Sequence, residues 1–324
     1  MKAIQFKEYG KPEVLEIVDI PIPEIKPRSV LVQVKASGVN FADTARRYGQ
    51  YLAKTPLPYI PGSEVAGVIT EVSLEVTDFK VGDRVVALTE DGGYAEYIAL
   101  HESQLIKIPE AVEFNHAAAI LGQGVSAYHI LKTSGQLKKG DTVVVHAAAG
   151  GVGTFAVQLA KIMGAGKVIA TASSPEKLEL AYSLGADFGV NYLEENWHKQ
   201  ILAYTEGKGA DVVLEMVGGD IFRNSLKCMA VNGRLVIYGR AGGQETKFDP
   251  AILMQRNVSV IGFWLVHILK DTKIFNESVR ELLESISNGK LKLVIGETFP
   301  LEEAKRAHEL MESRQTKGKL IINP

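Results

Sequence analysis

The chain has 324 residues, more than a single hydrophobic core usually serves, so two domains are expected. Its 46% hydrophobic and 23% charged residues are ordinary for a soluble globular protein, and a formal net charge of −2 without a basic block gives nucleic acid no electrostatic foothold. One cysteine, Cys228, excludes an internal disulfide and any cysteine-rich zinc site.

Residues 1–120 read as mostly β. The opening segment alternates like a strand and carries no signal-peptide core, which makes a cytoplasmic enzyme the expected class. Apolar and polar residues alternate again over 15–20, 30–34 and 95–100, as half-buried strands require. Val81-Gly82-Asp83 reads as a turn ahead of a strand over 84–87.

After Phe114 the rhythm changes to strands alternating with helices. The apolar run Val143-Val144-Val145 ends at His146 and a glycine-rich turn follows, Ala149-Gly150-Gly151-Val152-Gly153. An amphipathic stretch carrying Phe155, Val157, Leu159 and Ile162 comes next. Strand, tight turn and helix in this order open a dinucleotide-binding βαβ unit, with the pyrophosphate on the helix N-terminus. The spacing Ala147-x-x-Gly150-x-x-Gly153 departs from the strict three-glycine form, and a plain βα turn needing glycine is the alternative. His146 reads as a structural histidine.

A strand over 168–172 runs into Ser173-Ser174-Pro175-Glu176-Lys177. An NAD site usually has an acidic residue here for the ribose 2′-hydroxyl, whereas two hydroxyls and a lysine suit a 2′-phosphate. NADPH is therefore the expected cofactor. The alternative makes Glu176 the ribose ligand and Lys177 a solvated helix residue. Further on, helices are predicted over 175–184, 220–229, 271–288 and 301–314. Strands are predicted over 188–191, 211–216, 234–238, 258–263, 292–299 and 320–322. This alternation argues for a parallel sheet with helices on both faces. The apolar stretch 258–269 is too short to span a bilayer. Residues 258–264 form an expected edge strand that pairs two subunits into a homodimer. The alternative is that helix 271–288 caps that edge.

The strings Gly38-Val39-Asn40-Phe41-Ala42-Asp43, Pro61-Gly62-Ser63-Glu64-Val65-Ala66-Gly67, Val81 through Val85, Gly93-Tyr94-Ala95-Glu96, His146 through Lys161 and Ala307 through Arg314 span nearly the whole chain in order. Together they resemble the medium-chain dehydrogenase/reductase superfamily, and within it the zinc-free quinone oxidoreductase (zeta-crystallin-like) branch. The resemblance implies an α/β fold: a GroES-like β domain over 1–122 and 265–324, and a doubly wound Rossmann domain over 123–264. It puts Asn40 and Ser63 where zinc-dependent members carry cysteine and histidine ligands. Neither residue type is a usual zinc ligand, so no metal is expected and alcohol oxidation is disfavoured.

The resemblance also implies site residues. Tyr51, eleven residues past Asn40, is the candidate for orienting or protonating the substrate. Asn40 and Asp43 are expected to line the nicotinamide side of a cleft, with a turn or helix cap as their alternative. Gln123 and Ser126 at the domain crossover, Lys177 and Tyr192 at the phosphate end, and Tyr238-Gly239 beside the nicotinamide half complete the cofactor contacts. Arg240 departs from the small residue expected next to them. NADPH-dependent reduction of quinones by direct hydride transfer is the leading expectation. Reduction of activated C=C bonds in enones or enoyl thioesters, or NADPH binding without catalysis, are the alternatives.

Overall fold

The computed structural model describes all 324 residues, in two compact units: Met1–Gly122 together with Val294–Pro324, and Gln123–Leu293. In the first unit β1 (Lys2–Gln5) and β2 (Glu16–Asp19) pair antiparallel. The main sheet is built on β3 (Ser29–Val39), which is followed by α1 (Phe41–Arg47), β4 (Glu64–Val72), β5 (Arg84–Leu88), β6 (Tyr97–His101), β7 (Leu105–Lys107) and α2 (Phe114–Ala117). Val32 faces Ile69 across β3 and β4, and Val65 faces Ala87 across β4 and β5. These β-branched and small side chains fill one buried cluster with Val30, Val34 and Val85.

The second unit starts with a short irregular helical run containing α3 (Val125–His129), then β8 (Thr142–Val145), α4 (Gly151–Ile162), β9 (Lys167–Ala172), α5 (Pro175–Ser183) and β10 (Phe188–Asn191). It continues with α6 (Trp197–Tyr204), β11 (Ala210–Glu215), α7 (Gly219–Lys227), β12 (Met229–Ile237), β13 (Ser259–Gly262), α8 (Leu265–Leu269) and α9 (Thr272–Ser287). Its six strands are all parallel, in the order β10-β9-β8-β11-β12-β13. Val143, Val144 and Val145 are fully buried, which explains why β8 reads as a continuous apolar run: a parallel sheet is covered on both faces. The chain order reverses at β8, and in open α/β sheets ligands gather beyond the carboxyl ends of the strands at that switch point. The chain then returns to the first unit as β14 (Ile295–Pro300), α10 (Ala304–Glu312) and β15 (Lys319–Asn323), and β15 pairs antiparallel with β3.

One domain boundary is corrected. Residues 265–293, expected with the GroES-like part, lie in the second unit. The physical reason is packing. Helix α9 buries Ser278, Val279 and Leu282, and Leu282 lies against Gly124 beside α3. Gln158 of α4 grips the Lys292 backbone at both ends, accepting from its N–H at 2.8 Å and donating to its carbonyl at 2.9 Å. Other differences are local. The helix expected over 220–229 ends at Lys227 because Met229 already belongs to β12. Helix α6 escaped notice because it starts from Asn196 in the left-handed region (φ 54°) with no side-chain cap to signal it. Two π-helical turns, Ile120–Gly124 and Ile130–Ser134, were also missed.

Candidate functional site

In the second unit the sequence builds an anion cradle after β8. Ala147 takes a left-handed conformation (φ 49°), turning the chain so that α4 starts under it. A Cβ on Gly153 would stand 2.3 Å from the Ala147 carbonyl oxygen and 2.7 Å from Ala148 Cα, so only glycine lets helix and turn approach this closely. A Cβ on Gly151 would collide with the Gln123 amide at 2.1 Å. Gly150 caps the helix with no side-chain hydrogen bond, so the leading amides of Gly151, Val152 and Gly153 have no carbonyl a turn earlier to bond. Ala149 is buried beneath this turn, whereas Gly150, Gly151 and Val152 are partly open. Bare amides at the positive end of a twelve-residue helix are the donors a pyrophosphate requires. Gln123 leans over the same turn with its Oε1 buried and unpartnered, and Ser126 is buried one helical turn on.

The residues chosen for a 2′-phosphate are brought together. Ser173 and Ser174 follow β9, Ser174 begins α5, and Lys177 Nζ reaches Ser173 Oγ at 3.5 Å. Tyr192 follows the neighbouring β10 and donates its N–H to the Ala172 carbonyl, which sets it beside Ser173. Glu176 is exposed at the helix start. At the end of β11, buried Glu215 accepts from the amides of Val217 (2.7 Å) and Gly218 (3.1 Å), and burial raises its pKa. The Glu215 carbonyl takes the Tyr238 amide, so Tyr238 and Gly239 sit next to this turn while Arg240 is exposed.

His146 is a structural residue, as expected. It is fully buried; Ser225 gives its own proton to the Ile221 carbonyl, so His146 Nε2–H donates to Ser225 Oγ (2.8 Å) and Nδ1 accepts from Thr171 (2.7 Å). Burial pushes its pKa down to about 3.

In the first unit Asn40 begins α1, and Asp43, three residues on, accepts the Asn40 amide at 2.8 Å. Asp43 is 1% exposed and its Oδ2 also accepts from Tyr94, so it caps the helix rather than lining an open surface. This corrects its placement among substrate-facing residues; the cap alternative holds. Burial lifts its pKa to about 6 against the pull of the Asn40 amide, Lys319, Tyr94 and Arg46. Tyr51 is held differently: the Arg46 guanidinium lies 4.3 Å over its ring, tying the loop to α1. Asn40 stays partly exposed. Its Oδ1 accepts from Lys319 Nζ at 2.8 Å, and the same ammonium bonds Glu64 Oε2 at 2.9 Å.

Two buried polar networks escaped the sequence reading. One is Lys319 with Glu64 and Asn40. The other runs from Arg47, which has only donors, into His308 Nδ1 (2.8 Å), then from His308 Nε2–H to Tyr94 and from Tyr94 to Asp43 (3.3 Å each). Arg47 also pairs with Glu312. Their partners lie 51 to 279 residues apart, so no local spacing announces them. No group of three or more His, Cys, Asp and Glu side chains converges to hold a metal ion. Asn40 and Ser63 supply no ligand chemistry for zinc.

The buried histidines set an acid response. His146 and His308 keep pKa values near 3, whereas an unfolded histidine takes a proton below about 6.5. Their stability contribution is therefore whole above pH 6.5 and is lost as pH falls towards 3. Asp43, raised to about 6, acts oppositely and gains between pH 6 and its unfolded value near 4, which offsets most of the His308 loss in the first unit. In the second unit His129 and His198 are also lowered by burial, and only the raised Glu215 opposes. The second unit, which holds both tryptophans, should lose about 2–3 kcal/mol between pH 7 and pH 4.5 and unfold first. Urea titration followed by tryptophan fluorescence checks this; an unchanged midpoint at pH 4.5 would refute it.

Comparison with known proteins agrees with the geometry. Residues 26–110 match the family model "Alcohol dehydrogenase GroES-like domain", and residues 151–288 match "Zinc-binding dehydrogenase". The quinone oxidoreductase of Pseudomonas aeruginosa is 40% identical, with 100% of this chain and 99% of that protein covered. The structure of the Pseudomonas syringae quinone oxidoreductase superposes with a TM-score of 0.93 at 40% identity over 100% of this chain and 99% of that one. The Escherichia coli quinone oxidoreductase complexed with NADPH gives 0.94 at 34% identity over the whole of both chains. Full-length likeness at this identity, on a GroES-like unit and a doubly wound parallel sheet with a glycine cradle after β8, means that the chain belongs to the quinone oxidoreductase branch of the medium-chain dehydrogenase/reductase superfamily and is an oxidoreductase.

Proposed function

We propose that this enzyme uses NADPH to reduce quinones, without zinc: NADPH + H⁺ + quinone gives NADP⁺ + hydroquinone. The observation that carries the cofactor assignment is the lysine–serine pair, Lys177 and Ser173, beside Tyr192 where an NAD site places a carboxylate. The amides of Gly151, Val152 and Gly153 hold the pyrophosphate, with Ala149 and Gly150 shaping the turn. Gln123, Ser126, Tyr238 and Gly239 are assigned to the nicotinamide half. Bound there, NADPH supplies the hydride. Asn40 meets the acceptor and Tyr51 orients it or supplies a proton. The buried Lys319 ammonium, bonded to both Asn40 and Glu64, opposes a divalent cation at the Asn40–Ser63 position, which supports zinc independence. One zinc per chain by elemental analysis, lost together with activity on chelation, would overturn that part.

NADPH should bind at least about tenfold tighter than NADH, a difference of about 1.4 kcal/mol. Lys177→Ala should remove most of that preference by weakening NADPH while leaving NADH nearly unchanged. Equal affinities in the parent enzyme, read by fluorescence titration, would sink the assignment.

Turnover across quinones, 2-alkenals and enoyl-CoA esters tests the substrate class. Names of full-length relatives favour quinones, and reduction of an activated C=C bond is the second reading. Quinones take their proton from water after reduction, whereas an enone gains from a placed donor. Tyr51→Phe should therefore slow a quinone reductase only modestly, and an enone reductase by about 10²-fold. An unchanged rate and KM with every substrate would remove Tyr51 from the site.

The assembly reading is a homodimer through 258–264. Strand β13 closes one edge of its sheet, its side chains are partly exposed, and α9 packs on α3. A monomeric mass by light scattering at micromolar concentration would refute it. No helix is long and apolar enough to cross a membrane. A cytoplasmic location fits the one free thiol, Cys228, buried and with its pKa pushed up to about 12; recovery in a membrane or secreted fraction would contradict it.

A further inference from the structure

The Lys319–Glu64 pair is the most buried ion pair in the protein, with side chains 1% and 0% exposed. The fold makes room for it at two glycines. A Cβ on Gly38 would stand 2.5 Å from Lys319 Cε and 2.8 Å from its Nζ, and a Cβ on Gly122 would stand 2.9 Å from Glu64 Oε2. The Gly122 amide donates to Glu64 Oε1 at 2.8 Å, which fixes the carboxylate. The ammonium thus has a set position, and its other hydrogen bond goes to Asn40 Oδ1 at 2.8 Å.

An ammonium has three donors and no acceptor. It therefore determines which end of the Asn40 amide faces it: the oxygen must point to Lys319 and the nitrogen must point away. One Nδ2 hydrogen goes to the Gly38 carbonyl at 3.2 Å. The other remains, on a residue that is partly exposed while Lys319, Glu64 and Asp43 are sealed. Withdrawing density from the amide oxygen also makes the remaining N–H a stronger donor.

We propose that Lys319 is a positioning residue that locks Asn40 as a hydrogen-bond donor to the carbonyl oxygen of the acceptor, where negative charge gathers during reduction. This rests on the reading that Asn40 meets the acceptor. Lys319 does not touch the substrate. Its charge is balanced by Glu64, so the effect on the acceptor passes through the orientation and polarity of one amide. Nothing in the local sequence links the two residues, which lie 279 positions apart.

The test is a double-mutant cycle. Lys319→Met alone leaves Glu64 buried and unpaired, so the pair is neutralised together as Lys319→Met/Glu64→Gln. In the parent background this double variant should lower kcat with 1,4-benzoquinone about tenfold and leave NADPH affinity unchanged. In an Asn40→Ala background the same two changes should cost less than twofold more. An impaired Asn40→Ala enzyme alongside a fully active double variant overturns the proposal and spares the reading that Asn40 meets the acceptor. A fully active Asn40→Ala enzyme overturns both. Equal losses in the two backgrounds show a merely structural pair and also overturn it. A readout on the parent enzyme needs no variant. Adding 1,4-benzoquinone to the NADP⁺ complex should shift one hydrogen of the Asn40 side-chain amide in the ¹⁵N-resolved spectrum and leave its partner in place; no shift of either counts against the proposal.

Discussion

Lys319→Met alone is expected to cost the first unit about 3–5 kcal/mol, seen as a fall in Tm on the order of 10 °C. The substitution keeps the length of the side chain but strands the Glu64 carboxylate, which is 0% exposed, with only the Gly122 amide for company. A buried charge without its partner carries most of its desolvation penalty uncompensated. Adding Glu64→Gln removes the charge and should restore more than half of the loss. Arg47→Met is a useful comparison, because its partner Glu312 is 25% exposed and hydrates when left alone, so the loss there should be smaller. A Lys319→Met enzyme within about 1 kcal/mol of the parent by chemical denaturation would show that Glu64 finds another partner or a proton, and that the pair is not what secures β15 against β3 and β4.

Gly153→Ala should abolish tight cofactor binding, raising the NADPH Kd at least about 100-fold, equivalent to about 2.7 kcal/mol. The added methyl meets backbone on every side, Ala147 O at 2.3 Å and Ala148 Cα at 2.7 Å, so no side chain can swing away. The start of α4 must move off the turn, and the amides of Gly151, Val152 and Gly153 move with it. Gly151→Ala should be milder, since its methyl meets the end of the Gln123 side chain, which can rotate. Gly262→Ala, with nothing within 4 Å, should leave cofactor affinity as it is. Tight NADPH binding by a folded Gly153→Ala enzyme would remove the glycine cradle from the assignment.

The cofactor unit was legible because its signals are local. The apolar run of β8, the glycines of the turn and the face of α4 lie within residues 142–162, and each follows from one short-range constraint: two-sided burial, close backbone approach, or helical period. Ser173, Ser174 and Lys177 were proposed from their residue types after a predicted strand, and Tyr192 from the family resemblance. They follow neighbouring parallel strands, so strand order alone places them together. Asp43 was misread because a carboxylate three residues after Asn40 looks the same in sequence whether it faces a cleft or caps a helix. Burial decides, and burial depends on Tyr94 and His308, which arrive from other elements. The tail segment 265–293 was misassigned because an amphipathic helix states that it has an apolar face but not which surface will cover it.

By itself, then, the sequence determined the strand–helix alternation of the second unit and the glycine turn after β8, because each is signalled within a short stretch of chain. The tertiary structure alone decided which unit α9 joins, that Asp43 is sealed, and that Lys319 meets Asn40 and Glu64 across 279 and 255 residues. Those contacts are made when β15 comes back antiparallel to β3, and a charged residue near the chain's end acquires its role only when that return strand buries it.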